Sequence, residues 1–264
     1  MKPKLISFHP KLAAILDGVF SLILIWWLTK IDNPWLILVW FLFRIGWWVA
    51  LVVCMYYPPF IHRFKHLISL VIFNIGLTSL LIFIDWKITW YLAAFVFLAI
   101  PLFSFWLVPA RAEELTILGK PHRRARFLMT IFGIAGLWAG AQAIIFFQIL
   151  DRSLVWLVFV SAAIFTTAVS AWWWSEYGIE FNKNFLYHLF SLLLSILEIS
   201  YVIFLWPLGY MISGVLVAWI WYLVWLLFRF SLSKEGVDWA RQKFVLAGNV
   251  LLMISFLVFV ARWR

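Results

Sequence analysis

Three ionisable residues lie within long apolar segments of the sequence, where a charge needs an explanation. They are Asp17, Arg44 and Glu198. A charged side chain at the centre of a bilayer costs roughly 2.5 to 3.5 kcal/mol on insertion scales, so each needs an opposite charge or water. A carboxylate released or neutralised by a moving arginine can couple a proton or polar substrate to a conformational change. These residues are therefore the predicted substrate or coupling site.

Their positions along the predicted helices decide which of them can form pairs. Arg44 lies near the middle of its segment, Glu198 slightly beyond the middle of its own, and Asp17 about 8 Å inside one boundary at 1.5 Å per residue. Both carboxylates are therefore candidate partners of Arg44, and all three form one cluster if their helices are neighbours. Asn74, one or two turns away in depth, is a further candidate lining residue.

A purely structural role for the same charges is the alternative hypothesis. Trp40, Trp47 and Trp48 lie one helical turn from Arg44, where cation–π contacts could hold its guanidinium without any ligand. Asp17 is close enough to a predicted helix end to reach the membrane interface. The sequence leaves the functional and the structural interpretations open.

Composition identifies the medium around these helices. The chain has 264 residues, of which 66% are hydrophobic and 12% charged, and its mean hydropathy is +1.03. A soluble domain of this length needs a more polar surface, whereas helices in lipid can be apolar all round. We predict an all-α, polytopic transmembrane helix bundle that forms one integral membrane domain over residues 1–264. The net charge of +10 does not indicate nucleic acid, because there is no soluble domain to bind it.

Crossing about 30 Å of hydrocarbon requires roughly 20 apolar residues, and about nine segments qualify. They are residues 12–29, 35–55, 66–84, 88–108, 127–149, 154–175, 185–205, 209–229 and 243–262. The segment Trp206-Pro-Leu-Gly supplies the turn that separates the seventh span from the eighth. The bilayer itself is thus the first predicted partner, and a homo-oligomer or a membrane partner subunit is a further possibility.

Two features suggest internal organisation. The sequence HLISL from His66 resembles HLFSL from His188, which fits a parallel 4+4 repeat with halves 9–108 and 127–230 and an extra span at 243–262. Chance similarity between apolar helices is the alternative. The glycines Gly133, Gly136 and Gly140 form small-residue spacings that permit close helix contact, and we predict that the fifth and sixth spans pack there as a hairpin; a dimer interface is the alternative.

The distribution of basic residues predicts the orientation. With the N-terminus in the cytoplasm, 15 of the 21 Lys and Arg residues fall in inside segments, five fall outside, and Arg44 remains within a span. This bias predicts a multi-pass protein of the cytoplasmic membrane with its C-terminus outside. The longest inside loop, 109–126, ends in Arg123, Arg124 and Arg126, which are candidate ligands for anionic lipid headgroups; topology alone is the competing explanation.

No catalytic motif is present, and no catalytic residue, metal or cofactor is predicted. The single cysteine, Cys54, excludes an intrachain disulfide and a CxxC site. Our leading functional hypothesis is a small permease or transporter-like protein with a midplane polar cluster. The alternatives are a noncatalytic membrane subunit or scaffold with structural buried charges, and a membrane-embedded lipid-modifying enzyme. A polar cavity at Arg44 favours transport, and a dry, packed centre favours the scaffold.

Overall fold

The computed structural model describes residues 8–30, 33–55, 60–84, 86–111, 113–233 and 239–259. This part of the chain forms nine α-helices, and each is long and apolar enough to cross a membrane. The helices are α1 (Pro10–Leu28), α2 (Pro34–Cys54), α3 (Phe60–Phe83), α4 (Lys87–Trp106), α5 (Glu114–Phe146), α6 (Arg152–Glu176), α7 (Lys183–Leu205), α8 (Tyr210–Leu232) and α9 (Trp239–Phe259). The all-α prediction is confirmed for the described residues, and their helices are compatible with a multi-pass membrane protein.

Short polar caps begin or end several helices within the apolar sequence. The Asn33 side chain accepts a hydrogen bond from the Trp35 amide before α2, and Asn182 caps α7 in the same way through the Phe185 amide. At the end of α2, Arg63 donates to the Met55 carbonyl at 2.7 Å. These contacts matter because lipid offers no hydrogen bonds to an unsatisfied helix end.

The predicted loop 109–126 is wrong over most of its length, since α5 begins at Glu114 and runs for 33 residues. Hydropathy detects only the part of a helix that lies in hydrocarbon, so it places the start near residue 127. At 1.5 Å per residue α5 is about 50 Å long, roughly 20 Å more than the hydrocarbon thickness. The basic residues before residue 127 therefore belong to α5, which also contains Pro121 in this stretch.

The other boundaries lie close to prediction. α7 ends at Leu205 and α8 begins at Tyr210, so the Trp206-Pro-Leu-Gly segment does separate them. α9 begins four residues before the predicted span 243–262, whose last three residues lie outside the described part of the chain. None of the described side chains of α9 is buried.

The chain divides into two compact units, Met1–Gly133 and Ile134–Arg264. In the first unit α1 packs against α4 and α2, and α3 packs against α2 and α4. In the second unit α7 packs against α6 and α8, while Gly214 of α8 lies directly against the backbone of Ala139 in α5. The boundary between the units falls within α5, and the predicted repeat with halves 9–108 and 127–230 stays a prediction.

Small residues let α3 and α5 approach closely within the first unit. A Cβ atom on Gly76 of α3 would collide with the backbone of Gly133 in α5, and one on Gly133 would lie 2.6 Å from the Ile72 carbonyl oxygen. Gly133 therefore faces α3, rather than the α6 contact predicted from its spacing. α5 and α6 are joined by the Trp138 indole, which donates to Thr166 Oγ1 at 3.1 Å within the second unit.

Candidate functional site

A buried ion pair in the first unit joins α1 to α2. Arg44 Nη1 lies 3.1 Å from Asp17 Oδ1, and Nη2 donates to Asp17 Oδ2 at 3.4 Å. Both side chains are 0% exposed. The structure thus brings together two of the three charges that the sequence singled out, in a two-point contact that suits the planar guanidinium.

Helical spacing places the supporting polar groups on the facing sides of α1 and α2. Ser21, one turn after Asp17, accepts from Arg44 Nη2 at 2.6 Å and donates to the Asp17 carbonyl oxygen at 2.6 Å. Trp48, one turn after Arg44, donates its indole N–H to Asp17 Oδ1 at 2.9 Å. The carboxylate therefore accepts from both an arginine and an indole, while the guanidinium donates through Nη2 and contacts the carboxylate as an ion pair through Nη1.

Aromatic side chains close the space around the Arg44 guanidinium. Its central carbon lies 4.3 Å from the Trp48 ring centroid and 5.4 Å from that of Phe97 in α4. The ring centroids of Trp40 and Phe97 are 5.8 Å apart, and the Trp40 indole N–H donates to the Leu24 carbonyl at 2.8 Å. All three of these rings are at most 1% exposed. In this low-dielectric surrounding the ring faces supply cation–π attraction to the buried charge.

Two of the polar side chains predicted for the site keep a buried donor without a hydrogen-bond partner among the described residues. Arg44 has two such donors, Nε and Nη1, the second of which contacts Asp17 Oδ1 as an ion pair, and in Asn74 the donor is the amide nitrogen. The Asn74 carbonyl oxygen accepts from Thr78 Oγ1 at 3.3 Å within α3. A buried unpaired donor costs free energy, so these two groups mark places where the packing of this unit leaves polar capacity unused.

The third predicted charge, Glu198, belongs to the second unit. Its side chain is exposed on α7. Arg44 meets its carboxylate partner within the first unit, in Asp17. The pair of Arg44 with Glu198 stays a prediction.

The three predicted headgroup ligands of α5 have different surroundings. Arg124 is exposed, Arg123 is half-buried and Arg126 is buried. They differ because residues two apart on a helix point about 200° apart, so a continuous basic run cannot present all its members on one face.

Sequence reasoning missed a buried polar contact between α3, α4 and α5 in the first unit. His66 Nδ1 and His122 Nε2 are hydrogen-bonded at 2.8 Å. The other ring nitrogen of His66, Nε2, lies 3.5 Å from Ser104 Oγ. Ser104 donates its only hydroxyl proton to the Pro101 carbonyl, so it accepts from His66. His66 Nδ1 is then the acceptor of the His122 Nε2 proton.

No local sequence signal indicated that His122 is buried, because it lies in the basic stretch Lys120-Pro-His-Arg-Arg124, and it is far from His66 in sequence. Among the residues that the structure describes, no three His, Cys, Asp or Glu side chains lie together as metal ligands.

A second set of buried polar contacts lies in the second unit, where tryptophans donate to α6. Trp221 donates to Ser170 Oγ at 2.8 Å, and Trp225 donates to the Ser170 carbonyl at 3.4 Å. Ser170 in turn donates to the Thr166 carbonyl at 2.8 Å. These indoles are at most 1% exposed, so they are packed inside the unit.

The described residues define an all-α protein whose nine helices are compatible with a multi-pass membrane protein and whose N-terminal unit contains a buried ion pair. Comparison with protein-family models, with curated proteins and with solved structures finds no match to the chain.

Proposed function

We propose that the chain is a noncatalytic membrane subunit or scaffold, in which the Asp17–Arg44 pair fixes α1 against α2. The observation that supports this proposal is the closure of the pair, since both side chains are 0% exposed. A transport site needs access for water or substrate to its charges. Here the neighbouring Trp40, Trp48 and Phe97 are themselves buried, as expected of a dry structural contact.

Cysteine accessibility at Ser21 tests the proposal directly. Ser21→Cys changes one atom at the polar centre, and the sole native cysteine is removed with Cys54→Ala. In permeabilised membranes we expect no modification by a charged methanethiosulfonate, because Ser21 is 0% exposed. Lys30→Cys and Arg111→Cys, at exposed positions in the same background, should react completely.

Reaction of Ser21→Cys on the same timescale as those two controls would reject a dry centre. Protection of the site by a polar solute would then identify a permease. If Ser21→Cys stays unmodified while both controls react, the scaffold proposal is supported.

A small permease is the second candidate, and two observations favour it. The first is the unused donor capacity of Arg44 Nε and the Asn74 amide, which a polar substrate could satisfy. The second is a parallel between the units: His66 lies 3.5 Å from Ser104 on the next helix, and His188 lies 3.2 Å from Ser231 on the next helix. Such a parallel is expected of the duplicated units from which many transporters are built.

We also propose a cytoplasmic N-terminus, which the excess of Lys and Arg in the predicted inside segments supports. In sealed right-side-out cells, we expect Lys30→Cys to react with the impermeant reagent and Arg111→Cys to react only after permeabilisation. If Lys30→Cys is as protected as Arg111→Cys in sealed cells, or if Arg111→Cys is labelled there, the proposed orientation is wrong. This experiment does not depend on what the protein does.

A further inference from the structure

We infer that the beginning of α5 presents a binding face for an anionic phospholipid headgroup, formed by Ile117, Lys120, Arg124 and Leu128. All four side chains are exposed. Their spacing of three, four and four residues places them on one side of an α-helix. The two cations lie between two apolar residues, of which Leu128 is on the hydrocarbon side, where it can contact the acyl carbons of a lipid whose phosphate the cations bind.

The depth of this face follows from the length of α5. Residues 127–146 contain no charged side chain and suffice to cross about 30 Å of hydrocarbon at 1.5 Å per residue. Lys120 and Arg124 lie within the last two turns before that apolar stretch. Their side chains are therefore at headgroup level, where a juxtamembrane cation gains about 1 kcal/mol from an anionic surface.

The opposite side of the same helix is fixed to the first unit. His122, Arg126 and Met129 are buried, and His122 bonds the His66 ring of α3 at 2.8 Å. This anchoring holds the exposed face in place, so Lys120 and Arg124 are displayed on an ordered helix rather than on a loop. An ordered pair of cations loses less conformational entropy when it binds one phosphate.

Neither cation is already neutralised within the described part of the chain. Lys120 and Arg124 form no hydrogen bond or ion pair there. The nearby Glu114 carboxylate instead accepts from the Ala110 amide at 2.8 Å, before the face begins. The predicted headgroup ligands are thereby revised: Arg124 belongs to the face with Lys120, Arg126 lies on the buried side, and Arg123 lies at the edge.

Native mass spectrometry of retained lipid tests this inference. The full chain is purified from membranes that contain phosphatidylglycerol and phosphatidylcholine, and bound copies of each lipid are counted. We expect K120Q/R124Q to reduce the preference for phosphatidylglycerol by about thirtyfold, roughly a factor of five per cation. The matched control K30Q/K87Q removes the same charge from two other exposed positions and should retain the preference.

Two further measurements distinguish binding of a whole lipid from binding of free phosphate. Inorganic phosphate should not displace phosphatidylglycerol, while L128Q, on the hydrocarbon side of the cations, should lower retention without a change of charge. The inference is overturned if K120Q/R124Q binds as the parent does, if K30Q/K87Q loses the preference equally, or if inorganic phosphate competes. A thermal transition of K120Q/R124Q equal to the parent's shows that a lost preference is not caused by misfolding. The result is independent of the proposed scaffold role, because none of these residues belongs to the Asp17–Arg44 site.

Discussion

Asp17→Asn is expected to destabilise the protein by about 3–5 kcal/mol, the usual cost of removing one partner from a buried ion pair. The substitution leaves the Arg44 guanidinium fully buried with no opposite charge, although the new amide oxygen could still accept the indole proton of Trp48. Ser21 and the ring faces of Trp48 and Phe97 stabilise the cation but cannot neutralise it. Unfolding in mixed micelles of mild detergent and dodecyl sulfate measures the loss.

Removing both charges separates a structural role from a functional one. In D17L/R44M the two charged side chains become apolar side chains of similar length, and buried pairs replaced in this way are often neutral or stabilised. We expect the double variant to unfold close to the parent. Recovery of both stability and cellular phenotype supports the structural role, whereas recovery of stability with loss of phenotype assigns the pair a function.

Glu198→Gln is the matched control, because it removes the same charge from another predicted span. Its side chain is exposed on α7, so the expected change in unfolding free energy is within about 0.5 kcal/mol. A loss for Glu198→Gln as large as that for Asp17→Asn would show that Glu198 also neutralises a buried cation. From the sequence alone such a loss of stability is expected for Glu198→Gln, because Asp17 and Glu198 are equally plausible partners of Arg44.

The helices could be predicted from sequence because lipid imposes a length on them. A span needs about 20 apolar residues, and the Lys, Arg, Pro and Asn residues between such runs indicate their ends. Outside hydrocarbon this rule no longer applies. The residues from Glu114 to Arg126 mix apolar residues with Glu114, Lys120, His122 and three arginines, so they carry no continuous apolar run, yet they continue α5. A helix that leaves the membrane keeps its internal backbone hydrogen bonds in water as well.

The polar site was predictable only in part, for a related physical reason. The insertion cost identifies Asp17 and Arg44 as residues that need partners, but it does not tell which helices are neighbours. Helices that are apolar all round carry little periodic signal for their buried face. The contact of Arg44 with Asp17 was therefore one of two open alternatives before the structure, and the contact between His66 and His122 was not predicted at all.

Gly76→Leu should have the other large effect, because it places a bulky side chain at the crossing of α3 and α5. Even the Cβ atom of alanine would collide with the Gly133 backbone, and backbone cannot yield as a flexible side chain can. We expect Gly76→Ala to cost about 1–3 kcal/mol, as overpacking typically does, and Gly76→Leu to cost more. The same mixed-micelle unfolding measures both.

Gly46→Ala provides the control, since nothing lies within 4 Å of the added Cβ on α2. It should be neutral or stabilising by up to about 1 kcal/mol, the helix propensity that alanine has over glycine. Gly133→Ala should resemble Gly76→Ala, and the double variant should cost less than both together, because one separation of α3 from α5 relieves both clashes. Without a hydrophobic force between helices in lipid, close packing at such small residues contributes much of their association. Equal stabilities of Gly76→Ala and Gly46→Ala would show that this crossing is not a tight contact in the membrane.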